Sequence, residues 1–179
     1  MTTEYPEIKG IFIKAHIDRM RQNYSPETLR KISERFGKSL AFKSLNNYPM
    51  REEDRVLRSF IEETMPEVSG DTIDFEAGRF HWQTFSQTMI VKTALQISAH
   101  NIKRLLSSGE GILQMISIGL RYDYFEDGEK KIRIIVKNCD YEPRHFEGMF
   151  CELMKDMGYP GTVETMVLAD RLYEYRLKW

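Results

Sequence analysis

Apolar side chains recur every three or four positions up to Gly109, which is the spacing of helices that bury one face. The first such helix is predicted over residues 8–22, with an extended start around Gly10 as the alternative. Ser25, followed by proline and glutamate, marks the start of a second helix, because its hydroxyl can cap free backbone N–H groups. Gly37 is predicted to end that helix, and a third is predicted over residues 51–65 after a polar loop.

An aromatic stripe marks a fourth helix, which is predicted to begin at Asp71. One member of this stripe, Gly78, indicates close contact with another helix, because the absence of a side chain lets two backbones approach. The helical spacing then continues, after a bend, to Gly109. The stripe comprises Phe75, Gly78, Trp82, Phe85 and Met89.

Beyond Gly109 the spacing becomes alternating, which is typical of strands in a half-buried sheet. The Asp-Gly pair within residues 126–129 predicts a hairpin turn, and Pro143 suits the first turn of a helix. The predicted elements are strands 112–125 and 131–138, a helix from Pro143 to Gly158, and strands 162–168 and 172–178. The chain is therefore predicted to be a single α+β domain over residues 1–179, with N-terminal helices packed on a four-stranded antiparallel sheet and the C-terminal order β-β-α-β-β.

The composition is that of an ordinary globular protein, with 41% hydrophobic and 30% charged residues among 179. The 26 basic and 27 acidic residues leave a net charge of −1 without a basic face, so no nucleic-acid partner is expected. No apolar run reaches the roughly 18 residues of a membrane span, and the first residues lack a secretory-signal pattern, which predicts a cytoplasmic location. Cys139 and Cys151 are too few for a zinc site or a disulfide framework and are expected to be reduced thiols.

Several short motifs follow one another along the chain: Ile-Lys-Gly-Ile-Phe at 8–12, Ala-Gly-Arg-Phe at 77–80, Thr-Phe-Ser-Gln-Thr at 84–88, Phe146 between Pro143 and Gly148, and Tyr-Glu-Tyr-Arg-Leu-Lys-Trp at 173–179. In this order and spacing they resemble a family of paralogous proteins of similar length found mainly in myxobacteria. More remotely, the layout resembles the superfamily that joins haem-based nitric-oxide-sensing domains, the small-molecule-binding domain of 4-vinyl reductases, and TRAPP subunits.

The remote resemblance implies a pocket between helices and sheet that holds haem, a hydrophobic ligand or an acyl chain. TRAPP subunits instead imply an assembly role in a nucleotide exchange factor for small GTPases. For haem, His100 stands about where the sensor domains keep their proximal iron ligand. The Tyr-x-Ser-x-Arg motif that holds the haem carboxylates in those sensors is absent from the matching region, 134–139, and His100 also suits a surface position near a helix end. A fold-level resemblance does not choose among these functions.

Recognisable catalytic motifs are missing from the sequence. Neither a Gly-x-Ser-x-Gly nucleophile motif nor a phosphate-binding loop ending in Gly-Lys-Ser/Thr occurs. The acidic residues 52–54 are explained by the positive N-terminal end of a helix dipole, without a metal. Cys139 and His145 lack a recognisable third group that would orient them for nucleophilic chemistry. The chain is therefore expected not to be an enzyme, and no metal site is predicted.

Two sets of residues are candidates for binding. The apolar stripes of the fourth helix and of the helix that begins at Pro143 suit either an ordinary core or a ligand pocket, where methionine is favoured for its adaptable shape. The loop before residue 51 suits partner contact or a simple connection, and Arg79 suits pairing with a carboxylate at a helix interface or dimer seam. The pocket candidates are Trp82, Phe85, Met89, Phe146, Met149 and Phe150, and the partner-contact candidates are Tyr48, Pro49, Met50 and Arg79.

The sequence thus predicts a non-enzymatic binding or signalling module that acts through a protein partner or a hydrophobic small molecule. The alternatives are an adaptor for a bacterial small-GTPase system, a haem-based gas sensor and an enzyme. No cofactor is expected, with haem or a hydrophobic ligand as the alternatives. A homodimer formed through the helical layer is also expected, because the remote resemblance implies such pairing.

Overall fold

A computed structural model describes residues 5–99 and 101–179, and the candidate haem ligand His100 lies outside them. The helices of the described ranges are α1 (Gly10–Asn23), α2 (Pro26–Phe36), α3 (Met50–Thr64), α4 (Thr72–Phe85), α5 (Met89–Ser98), α6 (Ile102–Ser107), α7 (Gly109–Ile116) and α8 (Pro143–Asp156). The strands are β1 (Glu7–Lys9), β2 (Asn47–Pro49), β3 (Ser117–Ile118), β4 (Arg121–Gly128), β5 (Lys131–Lys137), β6 (Thr162–Ala169) and β7 (Leu172–Lys178). None of the helices in these ranges is both long and apolar enough to cross a membrane.

The larger sheet is antiparallel with the strand order β4-β5-β7-β6, and α8 packs against it. Side chains alternate along the inner strand β5, where Ile132, Ile134 and Val136 are fully buried and the intervening residues are less so. On β7, Tyr175 and Leu177 are also fully buried. The predicted α+β class and the C-terminal order β-β-α-β-β are confirmed.

Helix ends are predicted correctly where their signals are local. The Ser25 hydroxyl accepts a hydrogen bond from the Thr28 backbone N–H at 3.1 Å, and Gly37 ends α2 with a φ of 78°. Pro143 begins α8, and Gly158 follows its end with a φ of 77°. Both glycines adopt the left-handed conformation that other residues disfavour, which explains why the helices stop there.

Two stretches differ from the sequence prediction. The strand predicted from residue 112 is wrong in its first part, because Gly109–Ile116 is the helix α7 and β4 begins only at Arg121. The apolar residues of this short run fit a helical face as well as a strand, so their spacing does not separate the two structures. The loop expected at 46–49 contains β2, which joins β1 and β3 in a small sheet whose strands are too short to show a period.

The helices α4 and α8 cross at two glycines. A Cβ atom on Gly78 would lie 1.8 Å from the His145 carbonyl oxygen, and one on Gly148 would lie 2.0 Å from the Phe75 carbonyl oxygen. Each glycine therefore lets the opposite backbone approach closely, as predicted for Gly78. This crossing fixes the position of His81, one turn along α4, relative to His145 on α8.

Candidate functional site

A cavity of about 80 Å³ lies in the core between α4, α6, α7 and α8. Its wall is almost entirely carbon, with His81 of α4 and Tyr141, just before α8, among its few polar side chains. The helix α7 contributes Ile112, Leu113 and Ile116, which are spaced so that all three face inward. The cavity therefore has an apolar body and a polar border.

Five of the six predicted pocket residues line this cavity: Trp82, Phe85, Phe146, Met149 and Phe150. Met89 does not, and its side chain is 84% exposed. The stripe predicted to run through Met89 is broken because α4 ends at Phe85 and a new helix, α5, begins at Met89. The placement expected for Met89 is therefore wrong.

The predicted partner-contact residues are separated by the fold. Tyr48 and Pro49 are half-buried in β2, whereas Met50 is fully buried and lines the cavity, so its prediction as an exposed contact is wrong. Met50 begins α3, and the small sheet directs the chain inward at that point. Arg79 pairs with Glu152 on α8 at 2.9 Å and with Glu76 at 3.1 Å, which is the helix-interface pairing expected for it.

Five buried polar side chains lie together at the polar border of the cavity, and we call them the polar cluster. They are His16, Glu53, His81, Tyr141 and His145. The Tyr141 hydroxyl donates a hydrogen bond to Glu53 Oε2, and His16 Nε2 lies 3.1 Å from Glu53 Oε1. His81 Nδ1 and His145 Nε2 are 2.9 Å apart, so one of these nitrogens donates to the other. His16 and His81 meet edge to face, with ring centroids 4.8 Å apart, which joins the two hydrogen-bonded pairs.

Burial determines the charge of the polar cluster. It lowers the pKa of His81 to about 4 and the pKa of His145 well below its usual range, so both imidazoles are neutral near pH 7. Burial raises the pKa of Glu53, but its contacts with His16, His81 and Tyr141 outweigh burial and hold the pKa below its usual value. Burial also raises the pKa of the Tyr141 hydroxyl, which therefore remains a donor. The cluster thus holds the Glu53 carboxylate beside two neutral imidazoles, those of His81 and His145, and a protonated phenol.

Asp54 extends the polar cluster toward the surface. Its Oδ1 lies 3.7 Å from His145 Nδ1, and the side chain is nearly buried. Burial, aided by the neighbouring charge of Asp74, raises the pKa of Asp54 to about 7.

From the sequence alone the acids at 52–54 were explained by a helix dipole, and the polar cluster was not predicted. The spacing of two of its residues relative to the apolar helix faces could have indicated the cluster. Glu53 lies four residues before Leu57, on the inward face of α3, and His81 lies four residues before Phe85 on α4. A polar residue in register with an apolar face is expected to be buried and partnered.

Residues 2–179 match one family model, described as "Protein of unknown function (DUF2378)". The chain belongs to this family. No match was found among proteins of curated function.

The fold of this DUF2378 chain is similar to that of H-NOX proteins. A Cs H-NOX mutant carrying 4-cyano-L-phenylalanine is 18% identical, with a TM-score of 0.69 and 96% of each chain covered. An oxygen-binding H-NOX domain related to soluble guanylate cyclases is 17% identical, with a TM-score of 0.69 over 96% of this chain and 94% of the other. The Fe(II) unliganded H-NOX protein from K. algicida is 14% identical, with a TM-score of 0.61 and 96% of each chain covered. At these identities the likeness establishes a shared fold.

A further similar structure concerns the function of haem distortion in the H-NOX family. Whether the cavity of this chain fits haem can be judged from its volume and its lining. In this DUF2378 chain the cavity of about 80 Å³ is far smaller than the roughly 300 Å³ at which pockets for larger organic ligands begin. Aromatic rings, including Trp82 and Phe150, occupy the space around it, and the described lining residues include no lysine or arginine to pair with haem carboxylates. The described residues, as they are folded, do not fit haem.

Proposed function

We propose that this chain is a non-enzymatic binding module in which a small apolar molecule occupies the core cavity and thereby alters a protein-binding surface. The observation that supports the proposal most directly is the position of Ile112 on α7. This residue lines both the core cavity and a groove on the outer surface. A ligand in the cavity and a partner in the groove would therefore share Ile112 as a contact.

The outer groove lies between α5, α6 and α7 and has a volume of about 480 Å³. Ile97 of α5 and Met115 of α7 line it with large exposed apolar side chains. Exposed apolar patches of this kind favour contact with another protein. A ligand that displaces Ile112 would move α7, and with it Met115, so cavity occupancy would alter the groove.

The chemistry of the nearby thiol argues against covalent catalysis. Cys139 Sγ lies 3.8 Å from the Tyr141 carbonyl oxygen, and burial raises the pKa of the thiol well above its usual value. A nucleophilic cysteine needs the opposite environment, one that lowers the pKa and favours the thiolate. The absence of a catalytic role therefore remains our interpretation.

Xenon binding tests the cavity. The chain has two tryptophans, so replacing Trp179 by phenylalanine leaves the cavity residue Trp82 as the sole source of tryptophan fluorescence. Xenon is a heavy-atom quencher small enough for a dry apolar cavity. We expect quenching of Trp82 to saturate as xenon pressure rises, because a single site fills. Quenching that only grows linearly, as in random collisions, would contradict the proposal.

A filled cavity provides the control. Leu113→Phe adds a ring to the wall and should abolish the saturable component, whereas Ile118→Phe adds the same ring at a partly exposed position in β3 and should leave it intact. Native mass spectrometry of freshly purified, untagged protein complements this test, because retained extra mass on the folded chain would identify the natural ligand by its mass.

Partner binding, the homodimer and a cytoplasmic location stay predictions, as does an adaptor role in a small-GTPase system. Ile97 and Met115 offer apolar surface on the helical layer where a homodimer is expected. Light scattering coupled to size-exclusion chromatography should give twice the chain mass. A monomer at high protein concentration would contradict the homodimer.

A further inference from the structure

Three side chains of metal-ligating type converge in the core. His16 comes from α1, Glu53 from α3 and His81 from α4, and one donor atom of each lies within 4.8 Å of the other two. All three side chains are buried. Because these helices are separate in sequence, the fold itself brings the donors to one point.

Hydrogen bonding among the described residues leaves atoms of two of these side chains without a partner. His16 Nε2 and Glu53 Oε1 are 3.1 Å apart but are not aligned as a hydrogen bond, and His16 Nδ1 has no hydrogen-bond partner among the residues at 5–99 and 101–179. A buried polar atom without a partner is rare in folded proteins and calls for an explanation such as an ion. A purely structural polar network would be expected to pair these atoms.

The surrounding groups orient the donors as in known metal centres. His81 Nδ1 is 2.9 Å from His145 Nε2, which leaves the other ring nitrogen of His81 as the available donor. The Tyr141 hydroxyl holds Glu53 Oε2 and leaves Oε1 available. Metal-binding histidines and carboxylates are usually fixed in this way by a second hydrogen bond on the side away from the ion.

We propose that His16, Glu53 and His81 form a binding site for a divalent transition-metal ion. Two imidazoles and one carboxylate are the donor set of three-ligand Zn²⁺ sites and of facial Fe²⁺ sites, whereas Ca²⁺ and Mg²⁺ prefer oxygen. Three protein ligands leave a further position for water or another small molecule.

The spacing requires a small adjustment on binding. Ligand atoms on a tetrahedral Zn²⁺ ion are about 3.3 Å apart, which the His16 and Glu53 atoms already match at 3.1 Å. The three donor atoms lie within 4.8 Å of one another, so a shift of no more than about 1.5 Å brings the third to this spacing. His81 also lines the cavity, so its ring has free space beside it in which to shift.

Equilibrium dialysis tests the site. Untagged protein is first freed of metal with a chelator and then dialysed against Zn²⁺, and bound metal is measured by elemental analysis. We expect one Zn²⁺ per chain, and Co²⁺ in its place should give the visible absorption of a nitrogen- and oxygen-ligated ion. Folded wild-type protein that retains neither ion overturns the proposal without reference to any variant.

Matched variants locate the bound ion. Glu53→Gln keeps the volume but removes the anionic donor and should weaken Zn²⁺ binding by more than the roughly 10–100-fold typical of losing a supporting group, which is the loss expected for Tyr141→Phe. Glu152→Gln alters another buried carboxylate, paired with Arg79 away from the cluster, and should leave affinity unchanged. Cys151→Ser should also have no effect. Binding that survives Glu53→Gln and Tyr141→Phe unchanged would place the ion elsewhere and overturn the assignment.

Discussion

Replacing Gly78 by alanine is expected to lower the free energy of unfolding by about 3 kcal/mol, the upper part of the range for overpacked cores. The added Cβ would lie 1.8 Å from the His145 carbonyl oxygen and 3.0 Å from the Met149 nitrogen. Both are backbone atoms of α8, so the clash is relieved only by separating the two helices. Urea denaturation followed by circular dichroism measures the effect.

Gly111→Ala is the matched control for this prediction. Gly111 lies within α7, and a Cβ atom there would meet no atom of the described residues within 4 Å apart from its own helix backbone and chain neighbours. Since alanine favours helix over glycine, this variant should be more stable than wild type by about 0.5–1 kcal/mol. The two substitutions thus have opposite expected signs, and equal effects would mean that the α4–α8 crossing is looser than described.

Removal of the buried Glu53 carboxylate is expected to lower the free energy of unfolding by as much as Gly78→Ala does, or by more. Glu53→Ala leaves the Tyr141 hydroxyl buried without its acceptor and removes the carboxylate oxygen 3.1 Å from His16 Nε2, and breaking such a buried pair costs about 3–5 kcal/mol. The denaturation should be done with a chelator present, so that a bound ion does not contribute to the difference.

The neighbouring Glu52 provides the comparison. It occupies the same first turn of α3, so it shares the helix-dipole interaction, but it pairs with Lys38 at 2.6 Å near the surface. Glu52→Ala should therefore cost no more than about 1 kcal/mol. A loss for Glu53→Ala no greater than that for Glu52→Ala would show that the polar cluster does not stabilise the fold.

Features that depend on neighbouring residues were predictable from the sequence. Ser25 and Gly37 bound α2 because capping and left-handed backbone are decided within one turn, and Gly78 indicated a close helix contact because few other residues permit one. The class of fold followed from the change of period after Gly109. Most of the predicted cavity residues followed from helical stripes, except where a turn after Phe85 reset the register.

The polar cluster was not predictable in the same way. Four of its residues lie on four different helices, so the spacing within any one of these helices includes only one of them. These residues are His16, Glu53, His81 and His145. Each residue taken alone suits a surface position, and Glu53 suits a helix start as well. Whether these side chains meet in the core depends on which faces of the helices pack together. Tertiary packing determines this, not local helix propensity.

The glycine crossing also has a consequence for how the chain folds. Gly78 and Gly148 are 70 positions apart, so α4 and α8 can dock only after a long loop has closed. Contacts between residues so far apart in sequence slow folding, because the chain loses conformational entropy before the contact contributes stabilising free energy. The α4–α8 contact is therefore expected to form late in folding. Until it forms, His81 on α4 and His145 on α8 remain apart and hydrated.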